Sequence, residues 1–90
     1  MASARVQQAL SLSPTALAWL VEQGLLRAVV RVHPYPSWDN VRFDPVAVTA
    51  LALDAPGELK AARQRAPVFR TPEVARASAL GVVLRVNGVS

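Results

Sequence analysis

Three dipeptides divide this chain: Ser13-Pro14, Asp44-Pro45 and Thr71-Pro72. In each of them, a side chain that accepts hydrogen bonds stands directly before a proline. This order is typical of a helix N-terminus, because the first residue caps free N–H groups and a proline at the first helical position loses no hydrogen bond. We therefore expect a helix to begin at each of the three points, with turns or strands between the helices.

The apolar residues set the extent of the first helices. After Ser13 they recur at helical spacing until Gly24, which is a common stop, and this predicts a helix over about 14–23. The same reasoning predicts two further helices, at about 3–10 and 45–54. The turn between the first two helices is only three residues long, so they are expected to meet at a steep angle.

Between 24 and 44 the apolar period changes to two, which is typical of a strand. One face of that strand would carry Arg27, Val29, Arg31 and His33, and the other Ala28, Val30 and Val32. Segment 34–40 holds two prolines and cannot be a central strand. Val41-Arg42-Phe43 then predicts a return strand with Arg42 outward, so the sequence indicates a hairpin over 27–43.

The last third is more basic than the rest of the chain. Four basic residues stand against five acidic ones up to residue 59, and six against one afterwards. Its pattern predicts helices over about 58–65 and 72–80 and a strand over about 82–86 before an Asn-Gly turn. The predicted organisation is a domain over 1–55 and a basic extension over 56–90. A capped helix followed by an apolar strand occurs in both parts, so a duplicated unit is one hypothesis.

Composition excludes several functional classes. The chain has no cysteine and a single histidine, which leaves no thiolate site, no multi-histidine metal site and no catalytic set around a nucleophile. Its four glycines are scattered, so no phosphate loop is present. We expect no enzyme activity and no cofactor. The short apolar runs and the absence of a signal-like start predict a cytoplasmic protein without a membrane span.

The order of elements over 3–53 is that of a winged helix-turn-helix, an α+β fold in which the second helix enters the major groove and the hairpin is the wing. The stretch 13–26 resembles the second helix and exit of MerR-like domains and phage excisionases. The matching residues are Ser13, Pro14, Leu17, Trp19 and Gly24-Leu25-Leu26. Val41-Arg42-Phe43-Asp44 likewise resembles the return strand of the wing. Ala18 and Leu20 depart from the family, which has an arginine and a second aromatic residue there.

The resemblance implies a small transcriptional regulator or excisionase-like architectural factor that binds double-stranded DNA, nucleoid-associated and acting as a dimer or higher homo-oligomer. Helix 14–23 would lie in the major groove, and this requires that it present an exposed face. The candidate DNA-binding residues are Ser13, Thr15, Gln23, Arg27, Arg31, His33, Arg42, Lys60 and Arg63. Ser13 is expected to act first as a helix cap. For the cations of the hairpin and the tail, a role as solvated surface residues is an equal alternative to DNA contact.

The second hypothesis is a protein–protein adaptor or inhibitor of the same fold. The near-neutral charge of residues 1–59 favours it, and aromatic side chains are frequent anchors of protein interfaces. Tyr35 and Trp38 at the hairpin tip are the candidate partner-binding residues. Three alternatives stay open for them: packing back under the hairpin, contact with a partner, or stacking at a DNA groove. Trp19 is expected in the core.

Overall fold

The computed structural model describes residues 1–88 and has an α+β architecture, as the sequence predicts. Within that range five α-helices, a 3-10 turn and two strands follow one another: α1 Ser3–Leu10, α2 Pro14–Glu22, β1 Ala28–Val30, the turn Trp38–Asn40, β2 Val41–Phe43, α3 Pro45–Asp54, α4 Pro56–Arg65 and α5 Pro72–Val86. The predicted bounds of α1, β2 and α3 agree with the structure. No helix in residues 1–88 has the length and apolar character that crossing a membrane requires.

The three cap–proline pairs begin helices, which confirms the prediction. The Oγ of Ser13 accepts a hydrogen bond from the backbone N–H of Ala16 at 3.1 Å. Asp44 and Thr71 cap α3 and α5 in the same way, and each of the three helices has its proline in the first turn. Gly24 ends the turn after α2 at a φ of 77°, a left-handed conformation that favours glycine.

The predicted strand over 82–86 is wrong, because these residues form the last turns of α5. Ala75, Ala79 and Val83 are all buried and recur every four residues, so one face of a helix points into the core. That burial outweighs the β-propensity of the valine-rich run. The hypothesis of a duplicated helix–strand unit is wrong as well, since α5 continues where the second strand would begin.

The hairpin is antiparallel, with Val29 opposite Arg42 and its neighbours paired in register. Only 28–30 of the predicted first strand is regular, and the chain leaves the ladder after that. The outer edge of β2 is occupied by the start of the chain. Ala2 bridges Arg42, and the backbone N–H of Phe43 donates to the carbonyl oxygen of Met1 at 2.8 Å.

One apolar core joins all of these elements. Its fully buried members come from both halves of the chain and include Val6, Leu17, Leu20, Val41 and Val83. The parts 1–55 and 56–90 therefore do not have separate cores. α4 and α5 complete the core that α1, α2 and the hairpin begin.

Candidate functional site

α2 is enclosed by the rest of the protein. α4 and α5 both pack on it, and every residue of α2 is buried or half-buried except Glu22 at its end. The expectation that helix 14–23 presents an exposed face is wrong. Thr15 is 5% exposed, and its Oγ1 donates a hydrogen bond to the carbonyl oxygen of Pro67 at 2.7 Å. Thr15 therefore cannot touch DNA in this conformation.

α5 packs against the side of α2 that carries Thr15 and Ala18. Small side chains let the two helices approach closely, since Ala18 and Ala79 are both buried and line the same small cavity between them. The C-terminal ends of the two helices meet where Arg85 and Glu22 form an ion pair at 3.2 Å. Of the polar residues predicted around this helix, Ser13 is a cap, while Gln23 is exposed just beyond the last turn.

The outer face of the hairpin is exposed, as predicted. Arg27, Val29 and Arg31 alternate outward along the first arm, and Arg42 stands opposite Val29 on the second. Side chains diagonal to one another across an antiparallel pair lie roughly 7–8 Å apart, within reach of long side chains. Arg27 and Arg31 each stand two positions from Val29, the partner of Arg42, so both are diagonal to Arg42 in the register of the pair. We call Arg27, Arg31 and Arg42 the hairpin arginine face. His33 lies beyond the strand and is exposed.

Within residues 1–88, no carboxylate forms a salt bridge with the hairpin arginine face. The ion pair between Arg85 and Glu22 is the one salt bridge formed among residues 1–88, and neither partner belongs to the hairpin. The guanidinium groups of the face also make no hydrogen bond to any group in the described part of the chain. Their donors are therefore available to an external anion.

A groove of about 390 Å³ runs beside this face. Its walls combine apolar and hydrogen-bonding groups from both arms of the hairpin and from the 3-10 turn: Val29, Val30, Arg31, Asn40 and Arg42. Sequence reasoning missed Asn40. The signal for it is its position directly before β2, which brings its side chain to the same end of the hairpin as Arg31 and Arg42.

The two aromatic residues of the hairpin tip have different surroundings. Trp38 is 4% exposed, and its Nε1–H donates to Oε1 of Gln7 at 2.8 Å. Its carbonyl oxygen accepts from the Oγ of Ser3 at 2.6 Å. Trp38 therefore packs back against α1, and its assignment as a partner-binding residue is corrected. Tyr35 is 68% exposed.

The two tail cations do not belong to the hairpin face. Nη2 of Arg63 donates to the carbonyl oxygen of Leu10 at 2.7 Å, and its Nε donates to that of Ser11 at 3.2 Å. Arg63 thus caps the C-terminal end of α1, where free carbonyls attract a cation. Lys60 is exposed on α4.

α3 carries an apolar face that no other element of residues 1–88 covers. Val46 and Leu53 are 73% and 76% exposed, and Ala50 lies between them on the same side of the helix. We call these three residues the α3 outer face. The opposite side of α3, around Val48 and Leu51, is buried. An apolar residue on every side of α3 is the signal that was missed.

Trp19, which the sequence places in the core, is half-buried and packs against the edge of the core.

Among residues 1–88 no cluster of His, Cys, Asp or Glu side chains has the arrangement of a metal site. Comparison of the chain with protein-family models, with curated proteins and with solved structures finds no match. Two exposed surfaces of the described residues have chemistry suited to a ligand or partner: the hairpin arginine face and the α3 outer face.

Proposed function

We propose that this chain is a small winged-helix-like protein that binds duplex DNA through its hairpin and contacts the sugar–phosphate backbone. The observation that supports this function is the hairpin arginine face, where three exposed guanidinium groups on one side of a β-hairpin have no acidic neighbour within salt-bridge distance among residues 1–88. Arginine presents a planar fork of donors that matches phosphate oxygens.

The proposed mode differs from that of a recognition helix. Because α2 lies under α4 and α5, it does not offer side chains to base edges, and the phosphate contacts of the hairpin fix orientation without reading sequence. The function in this proposal is therefore architectural. One small module buries too little surface for tight binding, so the protein acts as a homo-oligomer on DNA.

The test is a salt titration of duplex binding by wild-type protein and by the double variant Arg31→Ala/Arg42→Ala. Each phosphate contact contributes about 0.9 to the slope of log K against log salt concentration. We expect the double variant to bind more weakly and to lose roughly 2 units of that slope. Fluorescence anisotropy with mixed-sequence duplexes measures both quantities.

The matched control is Arg65→Ala/Arg70→Ala, which removes the same net charge from the end of α4 and the segment after it. We expect this control to keep the wild-type slope. Equal losses in the two double variants would contradict a hairpin interface and indicate diffuse attraction by net charge. An absence of binding by wild-type protein even at low salt would refute the DNA-binding function.

The second candidate function is a protein-binding module, and the α3 outer face favours it. A helix that exposes Val46 and Leu53 to this extent is typical of an interface. This candidate is supported if the wild-type protein fails to bind duplex DNA and co-purifies with a stoichiometric protein that Val46→Ser/Leu53→Ser loses. Val68→Ser is the control, because Val68 is 93% exposed and lies outside α3.

A further inference from the structure

The groove beside the hairpin combines donors that are unused within the described part of the chain. We infer that it is a pocket for one phosphate group, bound by the guanidinium groups of Arg31 and Arg42 and by the side-chain amide of Asn40. This inference rests on the proposed function and makes it more specific, because it assigns one phosphate of the bound backbone to a defined set of side chains.

The geometry of the hairpin brings the three side chains together. Arg31 and Arg42 both line the groove, whereas Arg27, which is as close to Arg42 in register, does not. Asn40 ends the 3-10 turn, where its backbone N–H donates to the carbonyl oxygen of Ser37 at 3.0 Å. β2 begins at the next residue, so the amide is placed beside the arginines by two regular elements and not by a free loop.

The side chain of Asn40 is half-buried and takes part in none of the hydrogen bonds formed within residues 1–88. Its NH₂ group therefore has two donors for a ligand. Arg27 does not line the groove, although it belongs to the same exposed face. The pocket thus contains two of the three arginines of the hairpin arginine face, Arg31 and Arg42, together with the neutral Asn40.

The size and walls of the groove suit a phosphate that is attached to a larger group. A volume of about 390 Å³ lies in the range of small-molecule sites, so the sugar next to the phosphate also has room. Val29 and Val30 supply an apolar wall.

Substitutions that conserve charge distinguish a specific phosphate site from nonspecific electrostatic attraction. Arg31→Lys keeps the charge but loses the planar fork, and Asn40→Ala changes no charge. We expect each to weaken duplex binding about tenfold, with the slope against salt almost unchanged for Asn40→Ala. Arg65→Lys, at the end of α4 and outside the hairpin arginine face, is the matched control, and it should bind as the wild type does.

Inorganic phosphate is the second probe, and it tests the pocket without DNA. In a titration followed by ¹⁵N NMR, the Nε–H signals of Arg31 and Arg42 and the side-chain amide of Asn40 should shift together and saturate, while the Nε–H signal of Arg27 stays unchanged. If inorganic phosphate binds in this way but the protein does not bind duplex DNA, the proposed function is refuted and the phosphate pocket is still supported.

Two results would overturn the pocket. One is a set of phosphate-induced shifts that never saturates or that includes Arg27 equally. The other is wild-type affinity for the duplex in both Arg31→Lys and Asn40→Ala. If Arg31→Ala/Arg42→Ala still loses affinity in that situation, DNA binding through the hairpin stands and the contact is electrostatic only.

Discussion

α2 and the hairpin are neighbours in the chain but meet the rest of the protein differently. α2 packs against α1, α4 and α5, so most of its surface is used for packing. The hairpin rests on the core through one face, where Ala28, Val41 and Phe43 are buried, and leaves its other face in solvent. The helix is therefore a structural element, and the hairpin has the free surface.

The difference comes from a helix that begins fifty residues after α2 ends. α5 supplies Ala75, Ala79 and Val83 to the core, and small side chains at four-residue spacing let it lie close against α2. Nothing of comparable length lies over the outer face of the hairpin within residues 1–88. The order helix, helix, hairpin does not by itself determine whether α2 or the hairpin is exposed. The packing of α4 and α5 determines this.

The largest expected effect comes from placing a charge between α2 and α5. Ala79 is fully buried, so Ala79→Asp puts an unpaired carboxylate into the apolar contact. We expect the free energy of unfolding to fall by about 4 kcal/mol or more, or the protein not to fold at all. Chemical denaturation followed by circular dichroism measures this.

The matched control is Ala77→Asp, which makes the same substitution on the exposed side of α5. Its cost should stay within about 0.5 kcal/mol. Similar stabilities of the two variants would mean that α5 does not lie on α2 in solution. The contrast between a covered helix and a free hairpin would then fail, and the proposal of a major-groove helix would return.

A smaller effect is expected at the hairpin tip, where one aromatic residue belongs to the core and the other to the surface. Trp38→Ala removes a buried ring and its hydrogen bond to Gln7, and should cost about 3 kcal/mol. Tyr35→Ala should change stability by no more than about 0.5 kcal/mol. Thermal and urea unfolding of both variants checks this, and equal losses would show that the tip is packed as one unit.

Local chemistry made the first half of the fold predictable. Each N-cap and proline fixed the start of a helix, and alternation correctly separated the buried and exposed sides of the hairpin, including the outward position of Arg42. These features depend on residues close in sequence. The same holds for the hairpin arginine face, which could be predicted because strand alternation places its members on one side.

The predictions that failed depend on contacts between distant residues. The burial of Thr15 results from Pro67 and α5, and the helical state of 82–86 results from its packing on α2. No sequence pattern near Thr15 predicts a hydrogen bond to the carbonyl oxygen of Pro67, which is about fifty residues away. The groove could not be predicted either, because Asn40 joins it only when the 3-10 turn sets its position.

The smallest expected effect separates an arginine used for folding from one that is free. Arg63 donates to two carbonyl oxygens at the C-terminal end of α1, so Arg63→Ala should lower the free energy of unfolding by about 1 kcal/mol. Arg42 makes no such contact in the described part of the chain, and Arg42→Ala should leave stability within about 0.5 kcal/mol of wild type.

Duplex binding should respond to the same two variants in the opposite order. Arg42→Ala removes a proposed phosphate contact and should reduce the salt slope by about 0.9, whereas Arg63→Ala removes a charge whose donors are already engaged. Urea unfolding and salt-titrated anisotropy on the same preparations measure both quantities. If Arg63→Ala reduces the slope as much as Arg42→Ala does, Arg63 leaves α1 to contact DNA, and the interface extends from the hairpin to α4.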